Sequence, residues 1–195
     1  MGINVEHYNQ NRGRFSPLIQ TDNGMVSGFW MVGNDYRNPS GYYGAYPPGY
    51  LKRISLLFPD PDVVLHLFSG KVEKGSWGTW PVKEVTCDCN ASLFPDVCVN
   101  ARELHREFEP KTFDLIVGDP PYDENHVQYG TVKVNKSKVI KECSELLCIG
   151  GHLVWLDTIQ PIWSKADGWK LVGVIGLLQS TNHKVRVISI FERVR

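Results

Sequence analysis

The sequence has no apolar run that approaches the roughly 18 residues a membrane-spanning helix needs, so we expect no membrane partner. It also lacks an excess of charge of one sign, because 21 Lys and Arg residues balance 21 Asp and Glu residues. A dedicated nucleic-acid-binding protein is usually basic, which counts mildly against such a partner. The N-terminus is polar and has no signal-peptide pattern, so we expect a cytoplasmic protein.

The five cysteines are too few, and too closely spaced, to form a zinc site of the usual kind. Cys87 and Cys89 are separated by one residue, and no second pair follows at zinc-site spacing. Because all five lie in or beside apolar stretches, we expect reduced thiols and no bound metal.

Apolar runs bounded by turn-forming residues predict seven strands. These runs cover residues 63–68, 82–87, 96–99, 113–117, 152–156, 171–178 and 185–191. Helical patterns interrupt them, which favours an α/β fold with a doubly wound, mostly parallel seven-stranded sheet. The last two runs are joined by a short link and so are expected to form an antiparallel C-terminal strand pair.

Two helices and one loose segment complete the predicted organisation. After Pro48, apolar residues recur at helical spacing over 51–58, and a second helical face over 139–147 is expected to end at the Gly150-Gly151 pair. Residues 1–28 are polar and rich in Asn and Gly, which predicts a loosely structured lead-in to a domain covering residues 29–195.

The most informative stretch is Asp119-Pro120-Pro121-Tyr122, which follows the apolar run 113–117. The prolines fix φ and have no N–H, so this turn presents acceptors without competing donors. The Asp119 carboxylate and the Pro120 carbonyl can each accept one hydrogen of an NH2 group, while Tyr122 can stack on a flat ring. The turn therefore suits an aromatic ring that bears an exocyclic amine.

Three further strand ends carry groups suited to a nucleoside-containing cofactor. Gly70 ends the first parallel strand and permits close approach of the backbone to a ligand. Asp88 ends the second strand, where an acid usually accepts ribose hydroxyls, and Asn100 follows the third, where an amide can contact an adenine edge. Because parallel strands end at one edge of a sheet, we expect these groups to lie near Asp119.

These features resemble class I S-adenosylmethionine-dependent amino-methyltransferases of the Asp-Pro-Pro-Tyr type, most closely those specific for adenine in DNA. The resemblance covers roughly residues 42–195 and implies a single domain with no separate target-recognition domain. It implies S-adenosylmethionine as cofactor, and Asp119, Pro120 and Tyr122 as catalytic residues. The residues it implies for cofactor binding are Tyr46, Pro48, Phe68, Ser69, Gly70, Asp88, Asn100 and Asp119.

The implied partner is nucleic acid, with a flipped or single-stranded adenine in DNA as the target. Tyr43, Asn182 and His183 are expected at the rim of the substrate pocket, and Lys133 and Lys136 are expected to contact phosphate. Sequence specificity should be short and relaxed, or supplied by a second subunit, for which a homodimer is one arrangement. Such a compact enzyme suggests a prokaryotic or phage source.

The sequence also departs from the family pattern and leaves alternatives open. The familiar Gly-x-Gly after the first strand is replaced by Ser69-Gly70-Lys71. The substrate could be adenine in RNA or the amine of cytosine, or the chain could be a catalytically silent partner subunit. A dinucleotide-dependent oxidoreductase is disfavoured, because a Gly-x-Gly-x-x-Gly fingerprint is missing.

Overall fold

The computed structural model describes residues 2–33, 46–75, 83–122, 134–180 and 184–195. Its helices are α1 (Val5–Asn11), α2 (Tyr50–Leu57) and α3 (Lys136–Leu146). Its strands are β1 (Leu18–Gln20), β2 (Val26–Val32), β3 (Val63–Leu67), β4 (Lys83–Asp88), β5 (Val97–Cys98), β6 (Phe113–Gly118), β7 (Leu147–Asp157), β8 (Trp169–Gln179) and β9 (Val185–Arg193). Short 3-10 turns cover Ala91–Leu93, Leu104–Arg106 and Lys165–Asp167.

All nine strands form one sheet in the order β1-β2-β8-β9-β7-β6-β3-β4-β5. Strands β3 to β7 pair in parallel, whereas β9 runs antiparallel to both β7 and β8. The doubly wound, mostly parallel α/β fold with an antiparallel C-terminal pair is therefore confirmed. The predicted number of seven strands is wrong, because β1 and β2 extend the sheet beyond β8.

The N-terminal segment is structured, which corrects the expectation of a loose lead-in at residues 1–28. Asn4 caps α1 by accepting a hydrogen bond from the backbone N–H of His7 at 2.8 Å. Strand β2 pairs in parallel with β8 and antiparallel with β1. Although the segment is polar overall, a few well-spaced apolar residues anchor it, because Tyr8, Leu18 and Val26 are buried in the core.

The helix α3 ends earlier than the sequence indicated. Leu147 is already extended and pairs with Phe113, so the strand begins directly after the helix. The Gly150-Gly151 pair lies inside β7 rather than at a helix C-cap. Gly150 has a φ of 79°, and a Cβ on Gly151 would lie 2.9 Å from the Cys148 carbonyl oxygen. These glycines therefore permit the strand irregularity opposite β6.

Alternating side chains of the central strands fill two cores, one on each face of the sheet. Leu115 and Val117 of β6 pack in the cluster that includes α1 and α2, whereas Ile116 packs in the cluster that includes α3. Among the described residues, both faces of the central strands are thus packed in a core, and a site built from strand ends lies at the edge where the parallel strands end.

Candidate active site

The strand order changes direction between β3 and β6. From β3 the chain adds β4 and then β5 on one side, and then returns to place β6 on the other side of β3. In sheets of this kind, ligands bind beyond the carboxyl ends of the strands at this switch point. Phe68 follows β3 and Asp119 follows β6, so two predicted site segments flank it.

The segment after β3 is a tight turn with a strained backbone. Phe68 has a φ of 58°, which is unusual for a residue with a side chain, and Gly70 has a φ of 55°. The Phe68 ring meets Trp155 edge-on, with 6.0 Å between ring centroids. Such outliers concentrate at ligand sites and cost roughly 1–3 kcal/mol, so the neighbouring packing must hold this turn in place.

Ser69 provides a buried polar atom beside this turn. Its N–H donates to the Cys87 carbonyl oxygen at 3.1 Å. Its Oγ is buried and has no hydrogen-bond partner within the described ranges. A buried hydroxyl without a partner is costly, and a bound ligand can supply the missing bond.

Asp88 lies at the end of β4 and contacts the same turn. Its Oδ2 accepts a hydrogen bond from the Gly70 N–H at 3.1 Å, and its Oδ1 accepts one from the Asn90 N–H at 3.0 Å. An ionised carboxylate has about four acceptor sites, so each oxygen can accept a further bond. Asp88 therefore holds the turn after β3 while retaining capacity for ligand hydroxyls.

Asn100, the predicted adenine contact, follows β5 in a turn of its own. Its Oδ1 accepts hydrogen bonds from the Arg102 N–H at 3.0 Å and from the Arg102 Nε at 3.3 Å. The side-chain oxygen therefore stabilises the local turn, and the adenine contact stays a prediction.

Tyr46 lies against the central strands at this edge. Its hydroxyl donates to the Val117 carbonyl oxygen at 3.0 Å, and its ring stacks on Tyr50 with 5.5 Å between centroids. Burial raises the pKa of Tyr46 well above its usual value, and the nearby Tyr50, Asp119 and Asp88 raise it further. Tyr46 therefore lies within electrostatic reach of both acids.

Pro48 does not occupy the first turn of a helix as the sequence indicated. Helix α2 begins at Tyr50, after Gly49, which is its N-cap with a φ of 68°. The cofactor contact assigned to Pro48 stays a prediction.

The Asp119-Pro120-Pro121-Tyr122 turn follows β6, as predicted, and carries a chain of hydrogen bonds. The Tyr122 hydroxyl donates to Asp119 Oδ1 at 2.8 Å, and Arg186 Nη1 donates to the Tyr122 hydroxyl at 2.7 Å. The Arg186 Nη2 donates to Gln179 Oε1 at 3.2 Å. The predicted catalytic acid and aromatic ring are thus joined to a cation from β9.

The Asp119 carboxylate has an unusual protonation equilibrium. Burial raises its pKa to about 7, against the charge of Arg186 and the hydrogen bond from Tyr122, while the Asp157 carboxylate raises it further. The residue keeps some solvent-accessible surface, although its carboxylate is closely surrounded by protein. A group with such a pKa at a strand end is a candidate for function.

A second acid, Asp157, ends β7 and is fully buried. Lys136 Nζ lies 2.8 Å from its Oδ2 and 3.0 Å from its Oδ1, and the Trp155 Nε1 donates to Oδ2 at 3.3 Å. Lys136 was predicted to contact phosphate, but its ammonium pairs with this carboxylate. The phosphate contact stays a prediction.

Comparisons with solved structures give a consistent match at low sequence identity. TrmN from Thermus thermophilus matches with a TM-score of 0.58 and 18% identity, over 81% of this chain and 52% of TrmN. The N-methyltransferase NodS from Bradyrhizobium japonicum, in complex with S-adenosyl-L-homocysteine, matches with a TM-score of 0.52 and 12% identity, over 74% of this chain and 84% of NodS. This chain therefore spans about half of TrmN but most of NodS.

A TehB-like SAM-dependent methyltransferase from Corynebacterium glutamicum matches with a TM-score of 0.51 and 13% identity, over 80% of this chain and 91% of that one. The fold is that of class I S-adenosylmethionine-dependent methyltransferases. No protein-family model and no curated protein sequence matches this chain.

Among the described residues, no helix is long and apolar enough to cross a membrane. The same residues contain no group of three or more His, Cys, Asp and Glu side chains that could hold a metal ion.

Sequence reasoning missed Arg186, which binds Tyr122, and Gln179, which binds Arg186. It also missed Asp157, whose charge raises the pKa of Asp119, and Trp155, which donates to Asp157. Because β9 is antiparallel to β7, with Val187 opposite Asp157, its first residues lie at the edge where β7 ends. The short link after β8 was a usable signal, since an antiparallel final pair brings the start of β9 to this edge. The predicted residues Tyr43, Lys133, Asn182 and His183 lie outside the described residues.

Proposed function

We propose that this chain is an S-adenosylmethionine-dependent methyltransferase that modifies the exocyclic amine of adenine in DNA, with short or relaxed sequence specificity. The observation that carries the proposal is the position of the Asp119-Pro120-Pro121-Tyr122 turn. It lies across the switch point from the turn that Asp88 holds. The groups that can accept hydrogen bonds from an amine therefore lie at the same edge of the sheet, at the carboxyl ends of the parallel strands, as the groups suited to a nucleoside cofactor.

The residues at the ends of β3 and β4 fit this cofactor. The unpartnered Ser69 Oγ and the spare acceptor sites of Asp88 suit a ligand rich in hydroxyl and amine groups. S-Adenosylmethionine, when bound, supplies a methyl group activated by a sulfonium. Asp88, Ser69 and Gly70 would hold it, and Asn100 and Tyr46 are further candidates.

The role of the acceptor side follows from the chemistry of the amine. The lone pair of an exocyclic amine is delocalised into its ring, so the amine is a weak nucleophile. Asp119 and the Pro120 carbonyl would accept its two hydrogens and favour a more tetrahedral nitrogen. Tyr122 would fix the plane of the ring, because base–aromatic stacking contributes about 1–3 kcal/mol. Alignment of bound reactants can contribute roughly 7–11 kcal/mol, so positioning should dominate.

The hydrogen bonds of Asp119 are compatible with this role. Tyr122 occupies Oδ1, and within the described ranges no donor contacts Oδ2. One carboxylate oxygen therefore remains for an amine hydrogen. The similarity to NodS, which is named as an N-methyltransferase, agrees with nitrogen as the acceptor atom.

Cofactor binding is tested first, by thermal unfolding with S-adenosylhomocysteine and, separately, with NAD. We expect the first ligand alone to raise the melting temperature. Stabilisation by NAD alone would point to an oxidoreductase and overturn the proposal.

The substrate is tested by incubating the chain and labelled S-adenosylmethionine with single-stranded DNA, duplex DNA, RNA and free nucleosides. We expect label in DNA adenine, in wild type and not in Asp119→Ala. Label in RNA or in cytosine would assign the alternative substrates. Cofactor binding without transfer to any acceptor would favour the silent partner subunit. Sequencing of methylated adenines in cells that express the chain would then define the recognised bases.

A further inference from the structure

When Asp119 is ionised, the hydrogen bonds around Tyr122 have only one possible direction. A guanidinium can only donate and an ionised carboxylate can only accept, whereas a hydroxyl does both. Arg186 therefore donates to Tyr122, and Tyr122 donates to Asp119, at 2.7 and 2.8 Å. Burial raises the pKa of Tyr122, so the hydroxyl keeps its proton at neutral pH.

Arg186 is itself held from two sides. Its Nη2 donates to Gln179 on the neighbouring strand β8, and its guanidinium carbon lies 5.8 Å from the centre of the Tyr122 ring. Both β8 and β9 are long strands, with Leu177 opposite Arg186 in their register. The guanidinium is thus fixed by the sheet, whereas Tyr122 follows a proline turn beyond the end of β6.

The position of the Tyr122 hydroxyl also determines which oxygen of the Asp119 carboxylate is available to a substrate. With its hydroxyl fixed, Tyr122 contacts Oδ1 of Asp119 and leaves Oδ2 as the acceptor for an incoming amine. The same hydroxyl determines how the Tyr122 ring is oriented. A single cation on β9 therefore orients two of the groups that the proposed reaction requires, Tyr122 and Asp119.

We propose that Arg186 is a positioning residue for the methyl transfer, which acts through the Tyr122 hydroxyl to orient Asp119. This inference rests on the proposed function. Burial works against the ionised carboxylate of Asp119, and Asp157 adds a second negative charge nearby, which Lys136 balances. Tyr46 and Tyr50 also lie within electrostatic reach of Asp119 but remain neutral, because burial raises the pKa of each. Arg186 is the cation that lowers the pKa of Asp119.

The experiment compares wild type with Arg186→Gln, Arg186→Lys, Tyr122→Phe and the double variant Arg186→Gln/Tyr122→Phe. The matched control is Lys170→Gln, which removes an exposed positive charge on β8 that pairs with Glu192 on β9. For each variant, kcat, the KM for the acceptor and the affinity for S-adenosylhomocysteine are measured between pH 5.5 and 9, alongside the melting temperature.

We expect Arg186→Gln to lower kcat about 10- to 100-fold at pH 7, the scale of a misplaced reacting group, with unchanged cofactor affinity. The pH midpoint of activity should rise by about one unit, so part of the loss recovers at pH 9. Arg186→Lys should retain the pH midpoint better than the Gln variant. Because Arg186 acts through Tyr122, the double variant should be no worse than the more affected single variant.

Three results would overturn the inference. The first is an unchanged pH midpoint of activity in Arg186→Gln, and the second is additive losses of kcat in the double variant. The third is a loss of kcat in Arg186→Gln that accompanies a fall in melting temperature and that Arg186→Lys does not relieve. If no acceptor is methylated, the proposed function fails, and Arg186 is then judged by NMR titration of the Asp119 carboxyl carbon, assigned with Asp119→Asn. A titration midpoint that is the same in wild type and Arg186→Gln would refute the role without any activity.

Discussion

The two sides of the switch point are built in different ways. On the proposed acceptor side, Tyr122 donates to Asp119 and is itself bound by Arg186 from β9, and Asp157 pairs with Lys136 from α3. On the cofactor side, Asp88 contacts backbone N–H groups, and the Ser69 Oγ has no partner within the described ranges. The acceptor side is thus organised before a ligand arrives, whereas the cofactor side retains bonding capacity that a ligand can satisfy.

The largest expected effect comes from removing the acceptor at the centre of the organised side. We expect Asp119→Ala to lower kcat about 10³-fold, the upper scale for one preorganised hydrogen-bonding group, and to leave cofactor affinity within about twofold. Methyl transfer from labelled cofactor and calorimetric titration with S-adenosylhomocysteine measure the two quantities. Asp119→Asn, which keeps the size of the side chain, serves as control. Near wild-type turnover in the Ala variant would mean that Asp119 does not accept the hydrogen bond from the substrate amine.

The next effect is on stability, at the second acid of the same side. Lys136→Met leaves the buried Asp157 without its cation, and we expect a loss of about 3 kcal/mol in the free energy of unfolding, the low end for a broken buried pair, because Lys136 is partly exposed. Urea unfolding measures it. Lys138→Met, on an exposed position of the same helix, should change stability little. Equal changes in the free energy of unfolding in both variants would show that the pair of Lys136 with Asp157 does not contribute to stability.

The cofactor side should give the opposite kinetic pattern. Asp88→Ala removes a charged acceptor, so we expect the affinity for S-adenosylhomocysteine to fall about 10- to 100-fold, corresponding to about 1.5–3 kcal/mol. At saturating cofactor, kcat should change much less than in Asp119→Ala. Asp88→Asn should lie between wild type and Asp88→Ala. A fall in kcat without a loss of affinity would remove the distinction between the two sides.

The smallest expected effect is tested by changing only the pH of the solution. The pKa of Asp119 is raised to about 7, and the proposed role requires its ionised form to accept a hydrogen bond from the amine. Activity should therefore fall about tenfold for each pH unit below that midpoint. The same shift has the opposite sign for stability. The folded protein holds this proton more tightly, so the contribution is present at acid pH and is lost as pH rises to about 7.

Unfolding measurements of wild type and Asp119→Asn between pH 4 and 8 test the stability part. The variant should lack this decline with rising pH, and parallel profiles would contradict the shifted pKa.

Sequence reasoning found the strands and the groups at their ends because both signals are local. The apolar run before Asp119, and the position of Asp88 at the end of an earlier run, require only local hydrophobic periodicity. It failed where pairing between distant segments decides the structure. The N-terminal strands were missed because a few apolar residues in a polar segment become a strand only beside β8. The pairing of Lys136 with Asp157 was missed because the two residues are 21 positions apart in the sequence.

The sequence by itself determined the α/β class, the acceptor-rich proline turn and the acids at the strand ends, because hydrophobic periodicity and turn chemistry act over a few residues. Only the tertiary structure decided that Arg186 reaches Tyr122, that Lys136 neutralises Asp157 and that β1 and β2 extend the sheet. The short link after β8 indicated the antiparallel path of β9, but not which side chains that path brings together. Those contacts depend on pairing between distant segments, which local residue patterns do not encode.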